Sequence, residues 1–171
     1  MKANLTVRLF LFMQHQKILF VCLGNICRSP LAEGIMLHFL QNKNEAIKVD
    51  SAGTAHYHVG EKPDNRTIEN ALKHGVDLNG LRARQFKAID LDEFDYIFAM
   101  DKNNLRHILS ACKTVEQKNK VHLFLPFSGN VVVEEMPDPY YGTEKDFEKV
   151  FQLTYTACKD VFNKLTENDN Q

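Results

Sequence analysis

Two hydrophobic rhythms divide this chain. Residues 18–22 (Ile-Leu-Phe-Val-Cys) form an unbroken apolar, β-rich run, as a parallel strand covered on both faces would. Residues 96–100 (Tyr-Ile-Phe-Ala-Met) and 121–125 (Val-His-Leu-Phe-Leu) have the same character, and 47–51 reads as a weaker fourth strand. Between them the spacing turns helical. Ser29-Pro30 opens a first helix that carries Leu31, Ile35, Phe39 and Leu40, proline being tolerated at a helix start. Ile68, Ala71 and Leu72 mark a second helix ended by Gly75, and Leu105, Ile108, Leu109 and Cys112 mark a third. The last is the most regular. From Phe147 to Leu165 apolar residues recur at i, i+3 and i+4, with Thr143 as cap and Glu144 and Asp146 in the first turn.

Strands alternating with helices through short connections predict an α/β layered domain around a parallel sheet. No repeat or linker divides it. Residues 17–165 are expected to form a single domain, with 1–16 as an N-terminal extension and 166–171 as a frayed polar tail. The segment 113–120 reads as a solvated, lysine-rich loop. The apolar stretch 9–13 is too short for a signal sequence, and Met13 offers an alternative start.

Composition narrows the function. The 171 residues are 44% hydrophobic and 25% charged, which excludes disordered and fibrous classes. With 21 Lys+Arg against 22 Asp+Glu, no basic excess points to nucleic acid or to an anionic membrane. Cys22, Cys27, Cys112 and Cys158 are too few for a disulfide scaffold, so a reducing, cytoplasmic location is expected. Their spacing does not suit zinc, and His56-x-His58 is an isolated doublet. No metal or cofactor is expected.

The chemistry concentrates at the end of the first strand, where open α/β sheets bind ligands. Cys22-Leu23-Gly24-Asn25-Ile26-Cys27-Arg28-Ser29 places a cysteine and an arginine around a short loop between strand and helix. Such a loop turns backbone N–H groups inward and makes an anion nest. Gly24 permits close approach, Asn25 tolerates a left-handed conformation, and Arg28 offers a planar fork to a tetrahedral oxyanion. Cys22 at the centre of that field is favoured as a nucleophilic thiolate, with Ser29 placed to hydrogen-bond its sulfur. A general acid is needed opposite. Asp138, stiffened by Pro137 and Pro139 and followed by Tyr140 and Tyr141, is the candidate. Gly-x4-Gly-Lys-Ser/Thr is absent, which excludes a nucleoside-triphosphatase loop.

These residues resemble the low-molecular-weight protein tyrosine phosphatase family. The matching pieces are 21–30 (Val-Cys-Leu-Gly-Asn-Ile-Cys-Arg-Ser-Pro), 49–54 (Val-Asp-Ser-Ala-Gly-Thr), 94–101 (Phe-Asp-Tyr-Ile-Phe-Ala-Met-Asp) and 138–142 (Asp-Pro-Tyr-Tyr-Gly), in the family's order. The resemblance implies a four-stranded parallel sheet flanked by helices on both faces, a flavodoxin-like three-layer sandwich. It also implies a two-step reaction through a phosphocysteine on Cys22, with Arg28 and the 23–29 loop holding phosphate and Asp138 as acid, then base. Leu23, Gly24, Asn25, Ile26, Cys27 and Ser29 match the phosphate loop, and Asn25 and Ser51 match positions that fix it. Tyr57, Tyr140 and Tyr141 match an aromatic rim, and Cys27 matches a cysteine that can pair reversibly with Cys22.

The implied partners are a phosphotyrosine protein as substrate and inorganic phosphate as product, with the protein a monomer or weak dimer. Ile26 favours an aryl group; arginine phosphatases of the same fold carry threonine there. An arsenate reductase would place further cysteines near residues 80–100, where there are none. A non-catalytic phosphate-binding module would have lost Cys22 or Asp138. One departure stands out. Bacterial members of the family usually read His-Arg-Ala-Arg-Gln, which is Leu81-Arg82-Ala83-Arg84-Gln85 here. Leu81 cannot make the histidine's bond to the loop network, His74 does not obviously replace it, and a less rigid loop is expected.

Overall fold

A computed structural model describes residues 16–43 and 46–167. In chain order its elements are β1 (Gln16–Cys22), α1 (Arg28–Leu40), β2 (Ile47–Gly53), α2 (Asn65–Lys73), α3 (Asp90–Glu93), β3 (Tyr96–Ala99), α4 (Lys102–Ala111), α5 (Val115–Asn119), β4 (Val121–Leu123), α6 (Phe124–Ser128) and α7 (Glu144–Glu167). The strands are all parallel, in the order β2-β1-β3-β4.

The two-residue period of β1 explains its unbroken apolar run. Ile18, Phe20 and Cys22 point into a core shared with α1, α2, α6 and α7. Leu19 and Val21 point into a second core with Leu91 of α3 and Ile108 of α4. Both faces are therefore covered, and the domain is a three-layer α/β sandwich of flavodoxin-like order. Phe20 anchors the larger core, with ring centroids 5.6 Å from Phe98 and 5.2 Å from Phe124. Helix α1 is buried continuously from Arg28 to Met36, because β1 and β2 pack on one side of it and α7 on the other.

The parallel order fixes the site. From β1 the chain crosses to β2 on one side, then returns past β1 to β3 on the other. The C-terminal end of β1 is thus the switch point, and Cys22 is its last residue.

Five expectations need correction. Strand β4 ends at Leu123, and Phe124 and Leu125 open α6 instead. Pro126 lacks an amide that a longer strand would need but that the first turn of a helix leaves unbonded. The 113–120 segment is not all loop. It contains α5, capped by Thr114 Oγ1, which accepts from Gln117 N–H at 3.1 Å, although none of the helix is buried. Leu72 lies on the exposed side of α2, whose buried face is Thr67, Ile68, Asn70 and Ala71. At the C-terminus α7 continues through Glu167, with Thr166 Oγ1 donating to Phe162 O at 2.9 Å, so helix persists into the expected tail. Gln16, expected in the extension, is the first residue of β1 and pairs with Ile47. The rest of the extension, with Met13, and residues 168–171 lie outside the described residues.

Candidate active site

The loop after β1 folds back around its own sulfur. Asn25 takes the left-handed conformation (φ 56°), and its N–H donates to Cys22 Sγ at 3.3 Å. Ser29 Oγ lies 3.0 Å from the same sulfur. Asn25 Nδ2 donates to Ser29 Oγ at 2.8 Å, which leaves the Ser29 hydroxyl hydrogen for the sulfur or for Ala52 O, 3.4 Å away. The close passage of loop over strand requires glycine at 53. A Cβ there would meet the Leu23 carbonyl oxygen at 2.7 Å and the Asn25 nitrogen at 3.1 Å.

Asn25 is saturated on its other side. Its Nδ2 also donates to Ser51 Oγ at 2.8 Å, and its Oδ1 accepts the Arg84 backbone N–H at 2.9 Å. The loop is therefore tied to β2 and to the 84–86 segment without any histidine. Leu81 packs against the margin of the larger core. His74 is committed elsewhere, 2.9 Å from Glu148 and stacked on Phe151 at 4.0 Å.

Arg28 is 4% exposed, and both of its terminal nitrogens are engaged. Nη1 donates to Asp101 Oδ2 at 2.7 Å and to Met136 O at 3.4 Å; Nη2 donates to Asp138 Oδ2 at 3.2 Å. Burial works against its charge, but Cys22, Asp101 and Asp138 outweigh that and raise its pKa. Cys27 behaves differently. Burial, reinforced by Asp64, pushes its thiol up to about 12, so it stays protonated at neutral pH.

Asp138 lies across the cleft with its side chain nearly half exposed. Its Oδ1 accepts the Tyr140 N–H at 3.1 Å, and Met136 N–H donates to Met100 O at 2.8 Å, which fastens the acid-bearing loop to the end of β3. Arg66 stacks on Tyr140 at 5.5 Å and on Phe147 at 4.6 Å. The result is a cleft of about 260 Å³ with Cys22 and Arg28 at its floor, Ile26 and His58 on its sides, and Tyr57, Tyr140 and Tyr141 at its mouth. Leu23, Gly24, Cys27 and Asp138 line it as well.

Every residue expected at the site is therefore in this cleft or directly behind it. Others went unrecognised in the sequence. His58, set aside as half of a doublet, lines the cleft and bonds Glu61 at 2.7 Å. Asp101 anchors Arg28 and caps α4, accepting from Asn104 N–H at 2.7 Å; its place just beyond an apolar strand was the available signal. Glu33 reaches Ser51 from behind, and nothing in the linear pattern marks that contact. Among the described residues no group of three or more His, Cys, Asp or Glu is arranged to hold a metal ion, and no helix is long and apolar enough to cross a membrane.

Comparison with known proteins agrees with this geometry. Residues 17–171 match the model of the low molecular weight phosphotyrosine protein phosphatases. The low molecular weight phosphotyrosine protein phosphatase of Saccharomyces cerevisiae is 42% identical, covering 86% of this chain and 94% of its own. A crystal structure of a protein tyrosine phosphatase from Entamoeba histolytica, with Hepes in its active site, superposes with a TM-score of 0.83 at 39% identity, covering 90% of this chain and 99% of that one. YfkJ of Bacillus subtilis superposes equally well, with a TM-score of 0.83 at 36% identity over 91% of this chain and 97% of that one. A cysteine-centred anion loop at the switch point of a four-stranded parallel sheet and these likenesses lead to one conclusion: the chain belongs to the low-molecular-weight phosphotyrosine protein phosphatase family.

Proposed function

We propose that the protein hydrolyses phosphotyrosine in proteins, and aryl phosphate monoesters generally, by a two-step displacement on Cys22. The reading rests above all on one observation: Cys22 Sγ, the Arg28 fork and the Asp138 carboxyl converge on one cleft. In the first step the Cys22 thiolate attacks phosphorus. An S–P bond forms, the P–O bond to the aryl group breaks, and Asp138 delivers its proton to the departing phenolate oxygen. The amides of residues 23–28 and the Arg28 guanidinium hold the equatorial oxygens as charge redistributes. In the second step Asp138 takes a proton from water, the hydroxide oxygen attacks phosphorus, and the S–P bond breaks. Inorganic phosphate leaves, and the thiolate is restored, stabilised by the Ser29 hydroxyl.

Ile26 and the three rim tyrosines suit a flat phenyl ring, which favours tyrosine over arginine phosphate. Disulfide relay in the manner of an arsenate reductase finds little support: Cys158 is fully buried and Cys112 ends α4 on the opposite layer. Cys27, adjoining the cleft, is the partner we assign to Cys22 under oxidation. A cytoplasmic location, and a monomer or weak dimer working without a cofactor, belong to the same proposal; four cysteines without a disulfide scaffold support the location.

The test is hydrolysis of p-nitrophenyl phosphate in EDTA at pH 5.5 by wild type and Cys22→Ser. Turnover that disappears in the variant is expected. A reduced wild type that does not turn over would leave a phosphate-binding module. Because Asp138 must carry a proton while Cys22 has lost one, kcat/KM is expected to be bell-shaped with an acidic optimum. A flat profile from pH 5 to 8.5 would separate the two groups.

A further inference from the structure

Arg66, the second residue of α2, is exposed to solvent, yet three partners hold its side chain. Its Nε and Nη2 donate to the two carboxylate oxygens of Asp64 at 3.0 and 2.9 Å, a bidentate pair. Its guanidinium lies over the Phe147 ring at 4.6 Å and the Tyr140 ring at 5.5 Å. Phe147 is buried in the body of the domain, whereas Tyr140 stands in the turn just after the proposed acid. An exposed arginine gives up rotamer freedom to be held in this way, and the proposed chemistry assigns it no step.

Asp64 is the other half of the clamp. Its carboxylate caps α2 by accepting Arg66 N–H at 2.9 Å, and its bonds to Arg66 hold it below the usual carboxylate range. Its own N–H donates to Ile26 O, in the phosphate loop, at 2.8 Å. One residue thus reaches both loops that bound the cleft, Ile26 through its backbone and Tyr140 through Arg66. Tyr140 has no comparable support on its other side. Tyr141 meets it edge-on at 4.9 Å but is 97% exposed. The turn fixes its backbone, Gly142 N–H donating to Pro139 O at 2.8 Å, and leaves the ring to be placed by what it stacks on.

We propose that Arg66 is a positioning residue for the aryl part of the substrate: clamped by Asp64 and Phe147, its guanidinium fixes the Tyr140 ring and so sets the slot that a phenyl group enters beside Ile26. The inference rests on the aryl phosphatase reading above and deepens it. It predicts that ring binding separates from phosphate binding. Phenylphosphonate carries both a ring and an oxyanion, whereas inorganic phosphate carries only the oxyanion. Arg66→Met keeps the length of the side chain and loses the planar cation. Its Ki for phenylphosphonate, read against p-nitrophenyl phosphate, is expected to rise about five-fold, the size of a cation–π contact. Its Ki for inorganic phosphate stays within about two-fold, because the loop amides and Arg28 are untouched. KM for p-nitrophenyl phosphate rises with the first Ki while kcat stays within about two-fold, the mark of lost uniform binding. Arg66→Lys keeps the charge but cannot serve both Asp64 oxygens and both rings, so it is expected to bind phenylphosphonate no better than Arg66→Met. Asp64→Asn keeps the helix cap and loosens the clamp, so it shifts the same Ki in the same direction, and the double variant binds no worse than the weaker single.

Equal rises in both Ki values would make Arg66 a general attractor of anions and overturn the proposal. So would wild-type affinity for phenylphosphonate in Arg66→Met, or its recovery in Arg66→Lys. Should Arg66→Met fold poorly, an unchanged phenylphosphonate Ki in Asp64→Asn overturns it alone. Cys22→Ser in the same assay keeps the two levels apart. Turnover that survives that substitution removes the parent mechanism, whereas turnover that depends on Cys22, with Ki values that ignore Arg66, removes only this inference.

Discussion

At the scale of single residues, the site separates two neighbouring thiols by environment. Cys22 accepts hydrogen bonds from Asn25 N–H and faces Ser29 Oγ, while burial holds Cys27 protonated up to about pH 12. Brief treatment with iodoacetate at pH 6.5 is therefore expected to label Cys22 and to spare Cys27 and the fully buried Cys158, read by peptide mass spectrometry. Label on Cys27 at a comparable rate would contradict this division. The acid is testable at the same scale. Asp138→Ala is expected to slow aryl phosphates with poor leaving groups by 10²-fold or more and those with good ones far less. Equal losses across a leaving-group series would take Asp138 out of the acid role. These residues were legible because their chemistry is written locally: Cys22, Gly24, Asn25 and Arg28 sit within seven positions, and prolines bracket Asp138. Asp101, His58 and Glu33 were not, since each acts across more than fifteen residues of sequence or through a side chain with no local signature.

At the scale of elements, the end of β2 is a latch. Gly53 N–H donates to Arg84 O at 2.8 Å, Phe86 N–H donates to Gly53 O at 2.8 Å, and Arg84 N–H closes on Asn25. Gly53→Ala would drive a methyl group into the Leu23 carbonyl, so it is expected to destabilise by about 1–3 kcal/mol and to lower kcat together with stability. A variant that melts like wild type would show that the loop can yield. The hydrophobic rhythm located all four strands, because parallel strands buried on both faces leave an unmistakable apolar run. It overran β4 because Phe124 and Leu125 are as apolar as the strand before them. Only Pro126 distinguishes the turn into α6. One tie of the loop was illegible for a different reason: a backbone N–H, that of Arg84, donates to Asn25 Oδ1, and backbone donors carry no signature in sequence.

At the scale of the whole molecule, the buried Glu33 carboxyl makes stability depend on pH. Its folded-state pKa, about 7, lies above the ordinary 4.5. The folded protein therefore retains a proton that the unfolded chain releases, and the contribution present below pH 4.5 is lost as pH rises through 7. Urea unfolding at pH 5 and pH 8 should show Glu33→Gln gaining on wild type by up to ~3 kcal/mol at the higher pH. A difference independent of pH would place the proton elsewhere. Arg28 carries a last consequence, because its guanidinium joins segments that follow three strands: its own after β1, Asp101 after β3 and Asp138 beyond β4. The guanidinium's charge is thus already matched by carboxylates, and under the proposed mechanism an arriving phosphate would enter by exchange, taking over the donor that Asp138 gives up. Substrate capture and release of the acid would then be a single event. A chloride or acetate ion, with one charge and no third oxygen to fill the nest, cannot complete that trade, so turnover should tolerate such salts while yielding readily to tetrahedral oxyanions.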